Sequence, residues 1–273
     1  MLKKYLLLII FLLSFFLSSA AVNTPAKQSS IIRVGVYDNP PKIFKDPQGR
    51  PCGFWVDIIK NIAEKENWEI SWVHGSWSDS IKKLKNNEID VMPDVAYSEE
   101  RSKIFDFSEQ TIFVNWARIF VPTDSNIISF LDLDGKKIGV MKKGIHYIGS
   151  NGIKNLIKRF DINATFIVYE GYFEILEAVQ ENQVDAGVVN RIFGHKYHKN
   201  YDVRRTSIII NPIELKFAFP KDTPKTSLLI NKFDFHVDKL KKDEGSLYHR
   251  YVHDLLVPLK HEKKFLFFPT GSK

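Results

Sequence analysis

Apolar and polar positions along the chain alternate between two periods, about two residues and about 3.6, and each change marks an element. Residues 31–37 (IIRVGVY) form a β-branched run that ends at the Asp38–Asn39–Pro40–Pro41 break, which predicts a buried strand. A hairpin-type turn is expected at 46–49. Over 53–67, Phe54, Ile58, Ile59, Ile62 and Ala63 fall on one helical face, with Asp57, Lys60 and Glu64 away from it. Residues 68–74 alternate as a strand. Residues 76–87 read as a short helix carrying Ile81 and Leu84, and 89–95 as the next strand. A longer β run, 112–121, stops at Pro122.

The βα pattern then restarts. Strands are predicted at 137–141, 164–169, 184–189, 207–210 and 214–219, and helices at 147–160, 171–182, 225–242 and 246–256. In the second of these helices Phe173, Leu176, Ala178 and Val179 are expected to face inward. Strand, helix and strand at this spacing indicate βαβ units in parallel, doubly wound sheets. Pro122 and Pro212 mark the two places where the pattern changes as at an inter-domain crossing.

The first 21 residues read as a secretory signal. Lys3 and Lys4 are followed by an apolar run over 5–17, interrupted only by Ser14, and then by small residues at 18–21. That run falls short of the ~20 residues that span a bilayer comfortably, and the absence of a Cys after the small residues argues against a lipid anchor. Nothing later is long and apolar enough to span a membrane, so an exported, soluble, periplasmic protein is expected. Residues 22–30 look like a short lead-in. The single cysteine, Cys52, excludes an intrachain disulfide. Without the signal's two lysines, 37 basic residues stand against 32 acidic ones, a net +5. The lysine clusters at 82–85 and 239–242 lie at helical spacing among leucines, as solvated helix faces do. A nucleic-acid partner would need a stronger and more local footprint.

One stretch combines several signals. Residues 90–108 (DVMPDVAYSEERSKIFDFS) run from a strand through a turn into a helix start with acidic residues in its first turn. Arg101 is thereby placed just past a strand's carboxyl end, beside unpaired backbone N–H groups, an arrangement suited to a small carboxylate.

Four motifs in order resemble those of the bacterial extracellular solute-binding proteins of family 3, in the style of its sensor-type members. They are 53–57 (GFWVD), Trp77 with 84–90 (LKNNEID), 98–101 (SEER) through 107–108, and 133–139 (LDGKKIG) with Gly144 and 183–186 (QVDA). The resemblance covers about 31–258. It implies an α/β fold of two doubly wound lobes joined by a two-crossing hinge, the type II periplasmic binding protein fold. Lobe 1 would be 31–120 plus 213–258, lobe 2 would be 121–212, and a tail would follow at 259–273. Ligand would lie in the cleft, at the carboxyl ends of the strands.

The resemblance also implies roles for single residues. Arg101 stands where amino-acid binders clamp the α-carboxylate, and Trp77 where the ligand side chain packs. Tyr37 and Asn115 are expected to complete the wall. Several positions depart from the pattern. Ala96 and Tyr97 stand among positions where small hydroxyl residues are usual. Asp94 would add an acceptor or pair with Arg101. Ile145 or His146 stands where a Thr helps to grip the carboxylate, and the His146 charge is expected to change near pH 6–7. Asn190 replaces the Asp that pairs with an α-ammonium. An amine would then lose its main anchor unless Asp94 supplied one from the opposite lobe.

No P-loop, paired-cysteine motif, HExxH or nucleophile elbow occurs in the sequence, and His195 with His198 lacks a third metal ligand nearby. No cofactor is expected. The expected function is capture of a small polar or carboxylate-bearing ligand for an ABC-type importer, by a monomer whose other partner is a membrane permease or a sensor protein. A ligand-sensing input to signal transduction is the alternative, because 93–108 and Asn115–Trp116 resemble sensor-type domains. A cyclic-acid dehydratase using Asp94 and His146 is a third reading, and the protein is expected not to be an enzyme.

Overall fold

The computed structural model describes residues 30–256. The expected signal at 1–21 and the tail at 259–273 lie outside these residues.

The first lobe begins with β1 (Ser30–Val36), the short hairpin β2 (Phe44–Lys45) and β3 (Pro51–Cys52), and helix α1 (Phe54–Glu66). Helix α1 buries Phe54, Trp55, Val56, Ile58, Ile59, Ile62 and Ala63. It stops at Asn67, whose φ of 55° is the left-handed conformation asparagine tolerates at a helix end. Strand β4 (Trp68–His74) and helix α2 (Trp77–Lys85) follow, the helix capped by the Ser76 side chain accepting from the Asp79 N–H. After β5 (Met92–Ala96) comes α3 (Glu99–Ser102), a single turn, and then β6 (Phe105–Phe107). Strand β1 pairs with β4 and meets β5 through a parallel bridge at Val34–Val91. Asp90 pins that junction: it accepts from the Arg33 N–H and guanidinium and from Lys225 Nζ at 2.9 Å.

Two long antiparallel strands carry the crossing, β7 (Phe113–Pro122) and β11 (Val203–Pro220), paired from Val203–Pro122 to Leu215–Phe113. Between them in sequence lie β8 (Lys137–Met141), α4 (Ile145–Ile148), α5 (Ile153–Arg159), β9 (Thr165–Tyr169), α6 (Tyr172–Gln180), β10 (Ala186–Asn190) and α7 (Arg191–Tyr197). The large sheet runs β5–β11–β7–β10–β8–β9, with β8 parallel to both β9 and β10. Helices α8 (Pro224–Lys242) and α9 (Leu247–Leu256) follow, and Phe233 of α8 packs on Phe217 of β11 at 4.6 Å.

Three expectations are corrected. The predicted helix over 147–160 is two pieces, because Gly149 and Gly152 sit where the chain leaves helical geometry. A Cβ at either would fall within 3 Å of backbone oxygen, 2.6 Å from Ile145 O at Gly149 and 2.7 Å from Tyr147 O at Gly152. The strands predicted at 207–210 and 214–219 are one strand. Pro212 lies at an irregularity between Ile210 and Ile213, where a missing N–H costs no ladder bond, and Asn211 takes a φ of 47°. On α6 the inward face starts with Tyr172, which is buried, and Phe173 is 38% exposed.

Helix α7 approaches β7 with no room for a side chain at Gly194. A Cβ there would stand 2.4 Å and 2.6 Å from the Phe120 ring. Alanine favours a helix over glycine by up to about 1 kcal/mol, whereas overpacking a closed core costs about 1–3 kcal/mol. Gly194→Ala is therefore expected to lower the urea unfolding midpoint; an unchanged or raised midpoint would show that the helix can move off Phe120.

Candidate functional site

The carboxyl ends of β1, β5, β8 and β10 converge on one cavity. As it stands its volume is about 30 Å³, room for one or two waters. Of the residues expected from the sequence, Tyr37, Trp77, Asp94, Ala96, Arg101, Asn115, His146 and Asn190 all line it. Tyr97 does not. It is 40% exposed and packs outward, against the Phe107 ring at 5.3 Å and beneath the Lys216 ammonium at 5.2 Å.

Arg101 is positioned from both lobes. The Ser98 side chain caps α3 by accepting from the Arg101 N–H, while Nη1 donates to Ala96 O at 3.0 Å and Nη2 to Lys143 O at 3.3 Å. Its guanidinium stands 5.5 Å from the Trp77 ring, which in turn packs on Tyr37 at 5.0 Å. Trp77 Nε1 donates to the same Lys143 carbonyl. No carboxylate pairs with Arg101 among the described residues, and burial lowers its pKa to about 10.

Asp94 pairs with Lys42, not with Arg101. The two side chains are 1% and 3% exposed, and Lys42 Nζ lies 2.6 Å from both carboxylate oxygens. Oδ2 also accepts from the Tyr37 hydroxyl at 2.6 Å and from Asn39 Nδ2 at 2.9 Å. Burial holds the Lys42 ammonium below the ordinary lysine range, and the Asp94 charge works against that shift. Asp94 itself has a φ of 61°, which takes β5 out of its regular pleat at this point.

Across the cleft, Asn190 caps α7 by accepting from the Phe193 N–H and donates from Nδ2 to Asn39 Oδ1 at 3.0 Å. Asn115 Nδ2 donates to Asn190 Oδ1 at 3.3 Å. Among the residues lining the cavity, two polar side-chain atoms are buried without a partner, Asn115 Oδ1 and His146 Nδ1. His146 is no surface residue, and it does not titrate near pH 6–7. Burial, then the Lys42 and Arg101 charges, lower its pKa to about 3, so the ring is neutral at physiological pH.

Sequence reasoning missed Asn39, Lys42 and Tyr172, together with the apolar lining of Met141, Ile213 and Leu215; Ile145, one of the two candidates for the Thr position, lines the cavity beside His146. A signal was present for Lys42: a lone cation between Pro41 and Ile43, just past the carboxyl end of the first parallel strand, in the crevice where such folds bind ligands. With Lys42 and Asp94 cancelling and His146 neutral, the cavity carries the single uncompensated charge of Arg101. The arrangement can hold a small anion. It offers no free general acid, because Asp94 is engaged by three donors. Among the described residues no cluster of three His, Cys, Asp or Glu could hold a metal ion.

The family model for bacterial extracellular solute-binding proteins, family 3, matches residues 32–253. The arginine-binding extracellular protein ArtP of Bacillus subtilis is 27% identical over 261 residues, covering 90% of this chain and 95% of its own. An ancestral arginine-binding protein solved with arginine superposes with a TM-score of 0.73 at 26% identity, over 84% of this chain and 99% of that one. A histidine kinase sensor domain with similarity to periplasmic binding proteins gives a TM-score of 0.71 at 22% identity, over 84% and 96%, a likeness of fold.

Two predictions follow from this geometry. Lys42→Met leaves a buried carboxylate without its cation and is expected to cost about 3–5 kcal/mol of unfolding free energy by urea titration; a loss below 1 kcal/mol would mean that the pair is solvated. His146, with a folded pKa below its unfolded value, contributes stability that is complete above about pH 6.5 and falls as pH drops toward 3, by at most about 1.4 kcal/mol per pH unit. The stability difference between wild type and His146→Gln should shrink accordingly from pH 7 to pH 4. A constant difference would show that the ring protonates freely in the folded protein.

Proposed function

The chain belongs to the bacterial extracellular solute-binding proteins of family 3, and from that membership we propose that it captures a small carboxylate-bearing ligand between its lobes and presents it to an ABC-type importer. The observation that carries this reading is the Arg101 guanidinium, held by the Ala96 and Lys143 carbonyls and without an acidic partner among the described residues. A carboxylate arriving there gains charge-assisted hydrogen bonds at the point where the two lobes meet. Residues 31–120 with 213–258 would form one lobe and 121–212 the other. Export through the segment 1–21 would place the monomer in the periplasm, where it would meet a permease.

A second reading, an input module for signalling, draws on 93–108 and Asn115–Trp116, which are similar to sensor-type members. The cleft would work in the same way, and the partner receiving the closed form would differ.

Isothermal titration of the protein with small organic and amino acids tests the capture. A ligand is expected to bind saturably, and Arg101→Ala to weaken it at least about thirtyfold. A ligand held equally well by Arg101→Ala would overturn the carboxylate assignment. Uptake of that ligand by cells lacking the gene separates the two partners. Lost uptake supports the importer; retained uptake with a lost transcriptional response supports the sensor.

A further inference from the structure

In an amino-acid site of this family layout, a carboxylate waits for the ligand's ammonium. Here the cavity's one carboxylate already has a cation and two neutral donors from within the protein. Both oxygens of Asp94 face Lys42 Nζ at 2.6 Å, and Oδ2 takes two further donors, Tyr37 and Asn39. On the facing lobe the corresponding position is the amide of Asn190, already engaged with Asn39, Asn115 and the α7 backbone. Among the lining residues the charged groups are Lys42, Asp94 and Arg101 alone, so the cavity sums to one positive charge. A monoanion balances it. A zwitterion would leave its ammonium beside Lys42 with no acceptor of opposite charge.

We infer that Lys42 takes the place of a ligand ammonium, so that the cleft selects monoanionic carboxylates lacking an amine, with a hydroxyl or keto oxygen at the carbon where an amino acid carries nitrogen. This rests on the carboxylate capture proposed above. Two buried atoms without partners, His146 Nδ1 and Asn115 Oδ1, belong to residues that line the same cavity. A neutral imidazole nitrogen and an amide oxygen suit a hydroxyl, which donates to one and accepts from the other. The imidazole alone suits a keto oxygen, donating to it when Nδ1 carries the proton. Neither compensates an ammonium.

The test compares matched pairs of one carbon skeleton at pH 7 by isothermal titration: L-lactate and pyruvate against L-alanine, and 2-hydroxy- and 2-oxo-4-methylpentanoate against L-leucine. The hydroxy or oxo acid of at least one pair is expected to bind about 100-fold more tightly than its amino acid, since like charges brought together cost about that factor. In Lys42→Met the freed Asp94 should narrow or reverse the ratio. Should that variant fail to fold, Lys42→Met combined with Asp94→Asn removes both charges and should also narrow it. An amino acid bound by wild type as tightly as its hydroxy acid overturns the Lys42 assignment, and so does a ratio unchanged in the Lys42 variants. If that amino acid is lost in Arg101→Ala, carboxylate capture still stands. Saturable binding by none of these acids, or binding indifferent to Arg101→Ala, overturns the capture reading and this one together.

Discussion

A carboxylate enclosed between two lobes needs a cation at hand, because in a low-dielectric surrounding neither charge is tolerable alone. Asp94 and Lys42 meet that condition, and much of the local architecture serves it. Lys42 reaches Asp94 because the chain turns sharply after β1, and its carbonyl is tied by the Trp55 N–H at the start of α1. That approach demands Gly53, whose φ of 107° and 2.7 Å clearance from Lys42 O leave no room for a Cβ. The first helix, the first turn and the ion pair are thus one unit. Tyr37 and Asn39, from the same segment, also donate to Asp94 Oδ2, and Asn39 passes the network on to Asn190 across the cleft.

Two aspects of the pair pull against each other energetically. Removing one partner strands a buried charge, yet the pair as a whole gains little over an apolar replacement of the same volume, since desolvation takes back most of the Coulomb attraction. Stability alone therefore gives no reason to keep it. What the pair changes is the electrostatic content of the cavity: an acidic site becomes a neutral one, and Arg101 remains the dominant charge. One lysine would in this way bias the cleft toward anions, with no change in backbone topology.

Much of the architecture was legible because burial on one face imposes a period. The alternation at 68–74 and the 3.6 spacing of Ile58, Ile59 and Ile62 are direct consequences of packing. Errors arose where backbone freedom, not hydrophobicity, decides. Gly149 and Gly152 interrupt an apolar pattern that reads as one helix, and Pro212 interrupts a strand only in appearance, because an irregularity in register absorbs it. The site divided along similar lines. Arg101 could be found from a cap and a strand end, both local. Lys42 could not be ranked above other lysines, because its meaning depends on Asp94, 52 residues away. The neutrality of His146 was equally invisible, being set by burial and by two cations from the opposite lobe.

The same electrostatics bear on how the lobes would close. Contacts across the cleft are a few hydrogen bonds: Asn190 to Asn39, Asn115 to Asn190, Arg101 and Trp77 to the Lys143 carbonyl, and the Ser78 hydroxyl to the Glu170 carboxylate at 3.4 Å. Each replaces a bond to water, so the net gain is modest, about 0.5–1.5 kcal/mol for a neutral pair. Against them stands the guanidinium of Arg101, which loses hydration on closure and, as its pKa of about 10 records, is disfavoured in its charged form by that loss. Lobes meeting over an unpaired Arg101 gain little. Lobes meeting over an anion recover the lost hydration as charge-assisted bonds from one lobe while the anion's remaining oxygens engage the other. Closure and ligand charge are then coupled through a single residue, and the ligand that drives closure best is the one that brings a negative charge without a positive charge to be housed beside Lys42.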